Sequence, residues 1–281
     1  MFSVKRWKIT VIFFGIFSGL VGSALISTAW AVSPLDSLPF SLADFGAPAQ
    51  LLTDDITLAL VRPVGFALAH RPYRPATPLG TDFGLDFGAE VTLVKLDPKF
   101  AEALQTAQLS SASLPPSIPI PRFQVHKGVG NWLDLGISWI GYSNFIQVYG
   151  GDVQVSIYHP TEGPSVAVRF NYSQGNLGFI KVKTLSPQVI VSKKLAYVDP
   201  YIGIGYLRTT GEVNIESLLG PLAPYASLLG IVTKNSATAQ AFQAFIGLPF
   251  VIGPTGLRIA FEGSFVSNGI HMFGTRIGFQ F

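Results

Sequence analysis

TRIGFQF, residues 275–281, alternates without a break: Ile277, Phe279 and Phe281 fall on one parity, and Arg276, Gly278 and Gln280 on the other. Successive side chains of an extended strand point to opposite faces, so this segment has one apolar and one polar face up to its last residue. The apolar face either packs on a core or meets lipid.

The beginning of the chain bears on that choice. A basic stretch, MFSVKRWK, precedes the apolar run ITVIFFGIFSGLVGSALIST, and Ala29-Trp30-Ala31 places small residues where a signal peptidase reads them. The pattern predicts a secretory signal over 1–31, cut after Ala31. The competing reading is an uncleaved anchor, since the run is long enough to span a bilayer. The sequence has no cysteine, which excludes disulfides and a lipid-modified N-terminal cysteine.

Lys5, Arg6 and Lys8 would leave with the signal, reducing 19 basic side chains to 16 against 16 acidic ones. The basic balance therefore belongs to the signal and offers nothing to nucleic acid. Only 12% of residues are charged while 48% are hydrophobic, yet no apolar run after residue 31 is long enough for a membrane helix. An exported, apolar chain without helical spans suits a transmembrane β-barrel, in which the signal is alternation.

TDFGLDFGAEVTLV, residues 81–94, sets Phe83, Leu85, Phe87, Ala89, Val91 and Leu93 against Asp82, Asp86 and Glu90. With 80–95 as the first strand, others are expected near 121–129, 132–141, 147–158, 165–174, 177–194, 199–209, 237–248, 256–266 and 270–281. The fold class is thus all-β: an antiparallel transmembrane barrel of ten strands, with eight to twelve admitted. Within 177–194, Ile180 and Val182 are even while Val189 and Val191 are odd, so a β-bulge is expected at Pro187. The two long connections, one after residue 95 and one over 210–236, fall on one side, and Gly/Pro/Asp turns occupy the other. Outer-membrane barrels sort their loops in this way.

Residues 32–79 read as a helical lead-in before the barrel of 80–281. On a helical wheel Gln50, Asp54, Asp55 and Arg62 gather opposite Leu52, Ile56, Ala59 and Leu60, and Pro63 should end or kink the helix. The segment is either a plug inside the lumen or a helix packed beneath the barrel.

The export signal, the terminal Phe281 and the alternating strands resemble Gram-negative outer-membrane barrels. The lead-in, GTDFGLDFGAEV, the Pro-rich loop, Ser192–Lys194 and PYIGIGY at Pro200–Tyr206 are similar to a family of uncharacterised outer-membrane barrels. That resemblance implies an outer-membrane location and makes Phe279 and Phe281 the signal read by the barrel-assembly machinery. It implies no activity.

Parity places Asp82, Asp86, Glu90, Asp134, Asp152, Arg169, Asn171, Arg258, Glu262 and Arg276 inward. These side chains either neutralise one another in a packed interior or line a polar conduit. In the second case Asp82, Asp86 and Glu90 form a cation-favouring stripe that a plug carrying Arg62, Arg71 and Arg74 could cover. Of the four histidines only His126 is expected inward; His70 precedes the barrel, His159 sits in a turn and His271 faces out. No catalytic residues, metal cluster or cofactor are expected. The apolar stretch SLLGPLAPYASLLGIV, residues 217–232, is either a short helix over the barrel mouth or an entry site for a hydrophobic ligand. The leading functional expectation is a small pore or transport-type protein of unknown solute; the alternative is a non-conducting structural or surface-interaction barrel.

Overall fold

The computed structural model describes residues 52–81, 83–95, 98–106, 117–142, 146–216, 232–252 and 255–281. A helix, α1 (Asp54–Ala67), precedes strand β1 (Leu85–Lys95). A second helix, α2 (Pro98–Thr106), leads to β2 (Ser117–Val129), β3 (Leu133–Tyr142), β4 (Ile146–Tyr158), β5 (Pro164–Leu177) and β6 (Ile180–Lys193). The chain continues through β7 (Tyr201–Asn214), β8 (Lys234–Ile252), β9 (Leu257–Val266) and β10 (His271–Gln280). Each strand pairs antiparallel with its neighbours in sequence, and β1 pairs with β10, so the sheet closes into a ten-stranded barrel.

Closure runs to the final residue. The amide of Phe281 donates to the Leu85 carbonyl (2.8 Å), and that of Leu85 donates back to Phe281 (3.0 Å). Outside the seam, Phe87 stacks with Phe281 at 6.2 Å between ring centroids. A closed sheet leaves no unpaired edge, which is the condition for a strand to lie in hydrocarbon.

The exterior is apolar along its length. Ile137, Ile204 and Phe242 are 68, 65 and 70% exposed, which water would not tolerate over so continuous a belt. No described helix is long and apolar enough to cross a membrane. Both long connections, 96–116 and 215–233, lie at one end of the barrel, together with the two-residue Gly178-Phe179 turn; the other end carries 130–132, 159–163, 194–200 and 253–256.

One local expectation is corrected and another is narrowed. β6 has no bulge at Pro187: its register with β5 is continuous, and its even positions are inward from Ile180 to Ser192. Ile180 and Val182 break the polar-inside rule on a strand that packs against α1, whereas Val189 and Val191 face outward. A register shift lies instead between Ser156 and Tyr158 on β4. Pro63 does not end α1, which continues to Ala67. An internal proline costs roughly 3 kcal/mol, and burial of Leu60, Val61, Val64 and Phe66 in the same helix offsets it.

The segment from α1 to Leu79 runs inside the barrel rather than beneath it. Its atoms meet inward-facing groups of all ten strands, from Thr92 on β1 to Gly274 on β10. Gly65 and Gly211 make room for the helix: a Cβ at Gly65 would collide with Thr209, and one at Gly211 with Val61. Asn235, at the start of β8, donates to the Leu52 carbonyl (3.1 Å) and to Asp54 (3.0 Å), so α1 begins at the end that holds the long connections. Leu79 reaches Asp134 near the β2–β3 turn, and the chain leaves the lumen there to start β1.

Candidate functional site: the filled lumen

Around α1 the lumen is apolar. Phe66, Ala67 and Ala69 pack with Val94, Leu207, Ala241, Val266 and Met272. Below it, residues 70–79 cross a polar storey made by alternate residues of the strands. Asp86 anchors this region: Arg276 bonds both of its oxygens, Arg258 Nη1 lies 3.3 Å away, and Arg74 of the lead-in approaches with Nε at 3.8 Å. Arg74 also donates to Asp134 (2.8 Å), which accepts the Leu79 amide (3.0 Å).

Glu90 sits one step further in, with Arg122 Nε at 3.5 Å. Arg122 donates to the carbonyls of Ala69 (3.1 Å) and Leu68 (3.2 Å), so a wall cation holds the backbone just past α1. On β5, Arg169 donates to Gln154 (3.0 Å) and to the Arg74 carbonyl (2.7 Å). Tyr201 donates to Glu262 (2.6 Å). At the exit, Thr77 donates to Asp199 (3.2 Å); burial is the main cause that raises this carboxyl above its ordinary range, against Arg258.

Every described member of the inward set is buried: Asp86, Glu90, Asp134, Asp152, Arg169, Asn171, Arg258, Glu262 and Arg276. Asp82 lies outside the described residues, as do Ala29, Ala31 and residues 217–231 of the apolar connection. Arg71 and Arg74 enter the polar storey, and Arg62 lies on α1. Phe279 and Phe281 lie on the outer face of the seam.

Sequence reading missed His70. It lies fully inside, where it accepts from Ser138 through Nδ1 (2.8 Å) and donates through Nε2 to Asp152 (2.7 Å). His126 donates to the same Asp152 oxygen at 3.2 Å. The donor atoms of His70, His126 and Asp152 thus lie within 4.8 Å of one another, a grouping that could hold a metal ion. They come from the lead-in, β2 and β4, so no local spacing reveals them. Hydroxyl, imidazole and carboxylate in a chain is also the order of a hydrolase relay. Here Ser138 is buried between wall and lead-in, and a substrate carbonyl has no approach to it in this state.

A closed ten-strand meander, an apolar exterior, a charged lumen and loops sorted by length define an outer-membrane β-barrel. Neither a protein-family model nor a curated protein matches the sequence. Among solved structures, the chain is similar to Ail, the attachment invasion locus protein of Yersinia pestis, at 11% identity and TM-score 0.27 over 69% of this chain and 93% of that one. Neisserial surface protein A matches at 11% identity and TM-score 0.27, over 70% and 97%. OpdO of Pseudomonas aeruginosa matches at 7% identity and TM-score 0.24, over 57% and 56%. At these scores the assignment rests on the strand ladder itself.

Proposed function

We propose that the protein is a transport-type barrel of the outer membrane that its own lead-in holds closed, and that it conducts a small solute only when residues 54–79 withdraw. The observation that carries this reading is the burial of the charged wall. Asp86, Glu90, Arg169 and Arg276 would line an open conduit, and each is 2% exposed or less with the lead-in in place. Among the described residues the wall offers five buried carboxylates (Asp86, Glu90, Asp134, Asp152 and Glu262) against four guanidiniums (Arg122, Arg169, Arg258 and Arg276), and Arg71 and Arg74 of the lead-in more than offset that excess of negative charge. An emptied lumen therefore favours cations.

The seal is polar, and that supports release over permanence. Arg74 Nη1, Gln124 Oε1 and both side-chain polar atoms of Asn171 are buried without a hydrogen-bond partner among the described residues. Unpaired buried polar groups cost about 1–3 kcal/mol each, so water entering behind a departing lead-in recovers part of the contact energy lost. Catalysis has no part in this reading. Residues 1–31 serve as the export signal, and Phe279 and Phe281 present the closing strand to the assembly machinery.

Conductance with and without the lead-in is the direct test and is developed below. Topology gives a second one. If the long connections face outward, the start of α1 does too, and the 194–200 turn faces the periplasm. With no native cysteine, single reporters are clean. Asp55→Cys is expected to react with a membrane-impermeant maleimide on intact cells, and Lys194→Cys only after the outer membrane is breached; the reverse pattern rejects the orientation.

A further inference from the structure

We propose that His70, His126 and Asp152 bind a borderline divalent transition metal, Zn²⁺ in the first instance, and that the ion ties the lead-in to the barrel wall. Three donors converge: the Nε2 atoms of His70 and His126 lie 2.7 and 3.2 Å from Asp152 Oδ1. Around a tetrahedral zinc with bonds of about 2.0–2.1 Å, donor atoms stand roughly 3.3 Å apart. The two sides that meet at Asp152 Oδ1 fall at or somewhat below that spacing, and all three donor atoms lie within 4.8 Å of one another.

Hydrogen bonding alone accounts poorly for the arrangement. Two imidazoles crowd onto one carboxylate oxygen, while Asp152 Oδ2 and His126 Nδ1 are buried and unpartnered among the described residues. A purely structural network would spread the two donors over both oxygens, because an unpaired buried acceptor is costly. Converging on one point is what ligands do.

The surroundings are shaped to the cluster. β3 passes between the ligand strands carrying Gly136 and Ser138. A Cβ at Gly136 would collide with Asp152 and His126, and one at Gly150 on β4 would collide with Ser138. Ser138 stands 2.8 Å from His70 Nδ1, the position of an outer partner that fixes the tautomer and ring plane of a ligating imidazole. Arg169, on the neighbouring strand, donates to Gln154 and to the Arg74 carbonyl.

Two imidazoles and one carboxylate suit zinc and its neighbours over Mg²⁺ and Ca²⁺, which prefer all-oxygen sites. On binding, each imidazole keeps one proton, which moves from Nε2 to Nδ1; Asp152 stays anionic, and Ser138 turns from donor to acceptor of the His70 Nδ1–H. The cluster is sealed, so the ion loads as the barrel closes around the lead-in, the usual coupling of a structural metal to folding. The inference stands whether or not the barrel conducts.

The test is zinc content after refolding. Full mature chain is refolded from urea into detergent with Zn²⁺, freed of loose metal, and assayed for zinc per chain, with folding confirmed by unheated gel migration. One zinc per chain is expected for the wild type and for His159→Gln/His271→Gln, in which the two exposed histidines are changed. None is expected for His70→Gln/His126→Gln, and Ser138→Ala should bind about tenfold more weakly. A wild type without zinc, or equal content in the His70→Gln/His126→Gln chain, overturns the proposal. If that double variant does not refold, X-ray absorption on the wild type decides: two imidazoles and one oxygen donor support the site, and a zinc spectrum without imidazole scattering overturns it.

Discussion

Asp86→Ala is expected to cost about 3–5 kcal/mol of stability, the largest effect of any single change in the lumen. The carboxylate stands among Arg74, Arg258 and Arg276 with no exposure to water. Removing it leaves three guanidiniums facing one another in a site that no solvent screens, so the change is dominated by stranded charge rather than by a lost attraction. The Glu212–Lys234 pair supplies the contrast. It spans 3.2 Å with its lysine 59% exposed, and Glu212→Ala should cost no more than about 1 kcal/mol. Urea midpoints of the refolded variants in one detergent measure both. Equal costs would mean that the polar storey is wetter than its burial implies, and the closed-lumen reading would fall with that result. In a chain lacking the lead-in, Asp86→Ala strands two guanidiniums instead of three, so its penalty should shrink.

The same charge cluster marks where sequence reading reached and where it stopped. Asp86, Arg258 and Arg276 are legible because strand parity is a local property: each alternates with an outward Phe, Leu or Ile, and lipid outside leaves them only the lumen. β10 is legible to its last residue for that reason. Parity failed in β6 because a second rule overlay it. An inward position is polar only where it meets polar neighbours, and Ile180 and Val182 lie on a strand that packs against α1. A helix inside the barrel converts part of the wall into an ordinary apolar core, and the strand's own sequence does not announce that.

Of the two outcomes expected at Pro63, the helix end does not occur, since the local penalty is outweighed by packing of α1 against β6, β7 and β8. His70 was hidden more completely. It precedes the first strand, 56 positions before His126 and 82 before Asp152. Only a path for the lead-in through the lumen brings the three together, and periodicity contains no information about that path. Arg122 and Gln124, which flank Phe123 and share the parity of His126, were accessible to the same alternation that revealed Asp86.

Release of the lead-in is expected to turn a silent barrel into a conducting one. Refolded mature chain in a planar bilayer should show no steady current, because groups lining the lumen from Asp86 to Arg169 are sealed by residues 68–79. A chain starting at residue 80 should give discrete steps with a cation preference, set by five wall carboxylates over four guanidiniums. Glu90→Gln in that shortened chain should reduce the preference. A lock separates movement of the lead-in from breathing of the wall. A Cβ at Gly175 would stand 3.6 Å from that of Leu68, within the range a disulfide bridges. In Leu68→Cys/Gly175→Cys, any rare openings of the wild type should vanish on oxidation and return on reduction. Openings that persist through the lock would place the path elsewhere than the lead-in. Silence from a well-folded chain lacking residues 1–79 would reject the conduit altogether. The buried ion pairs would then be the core of a static barrel, with any function left to the connections at 96–116 and 215–233.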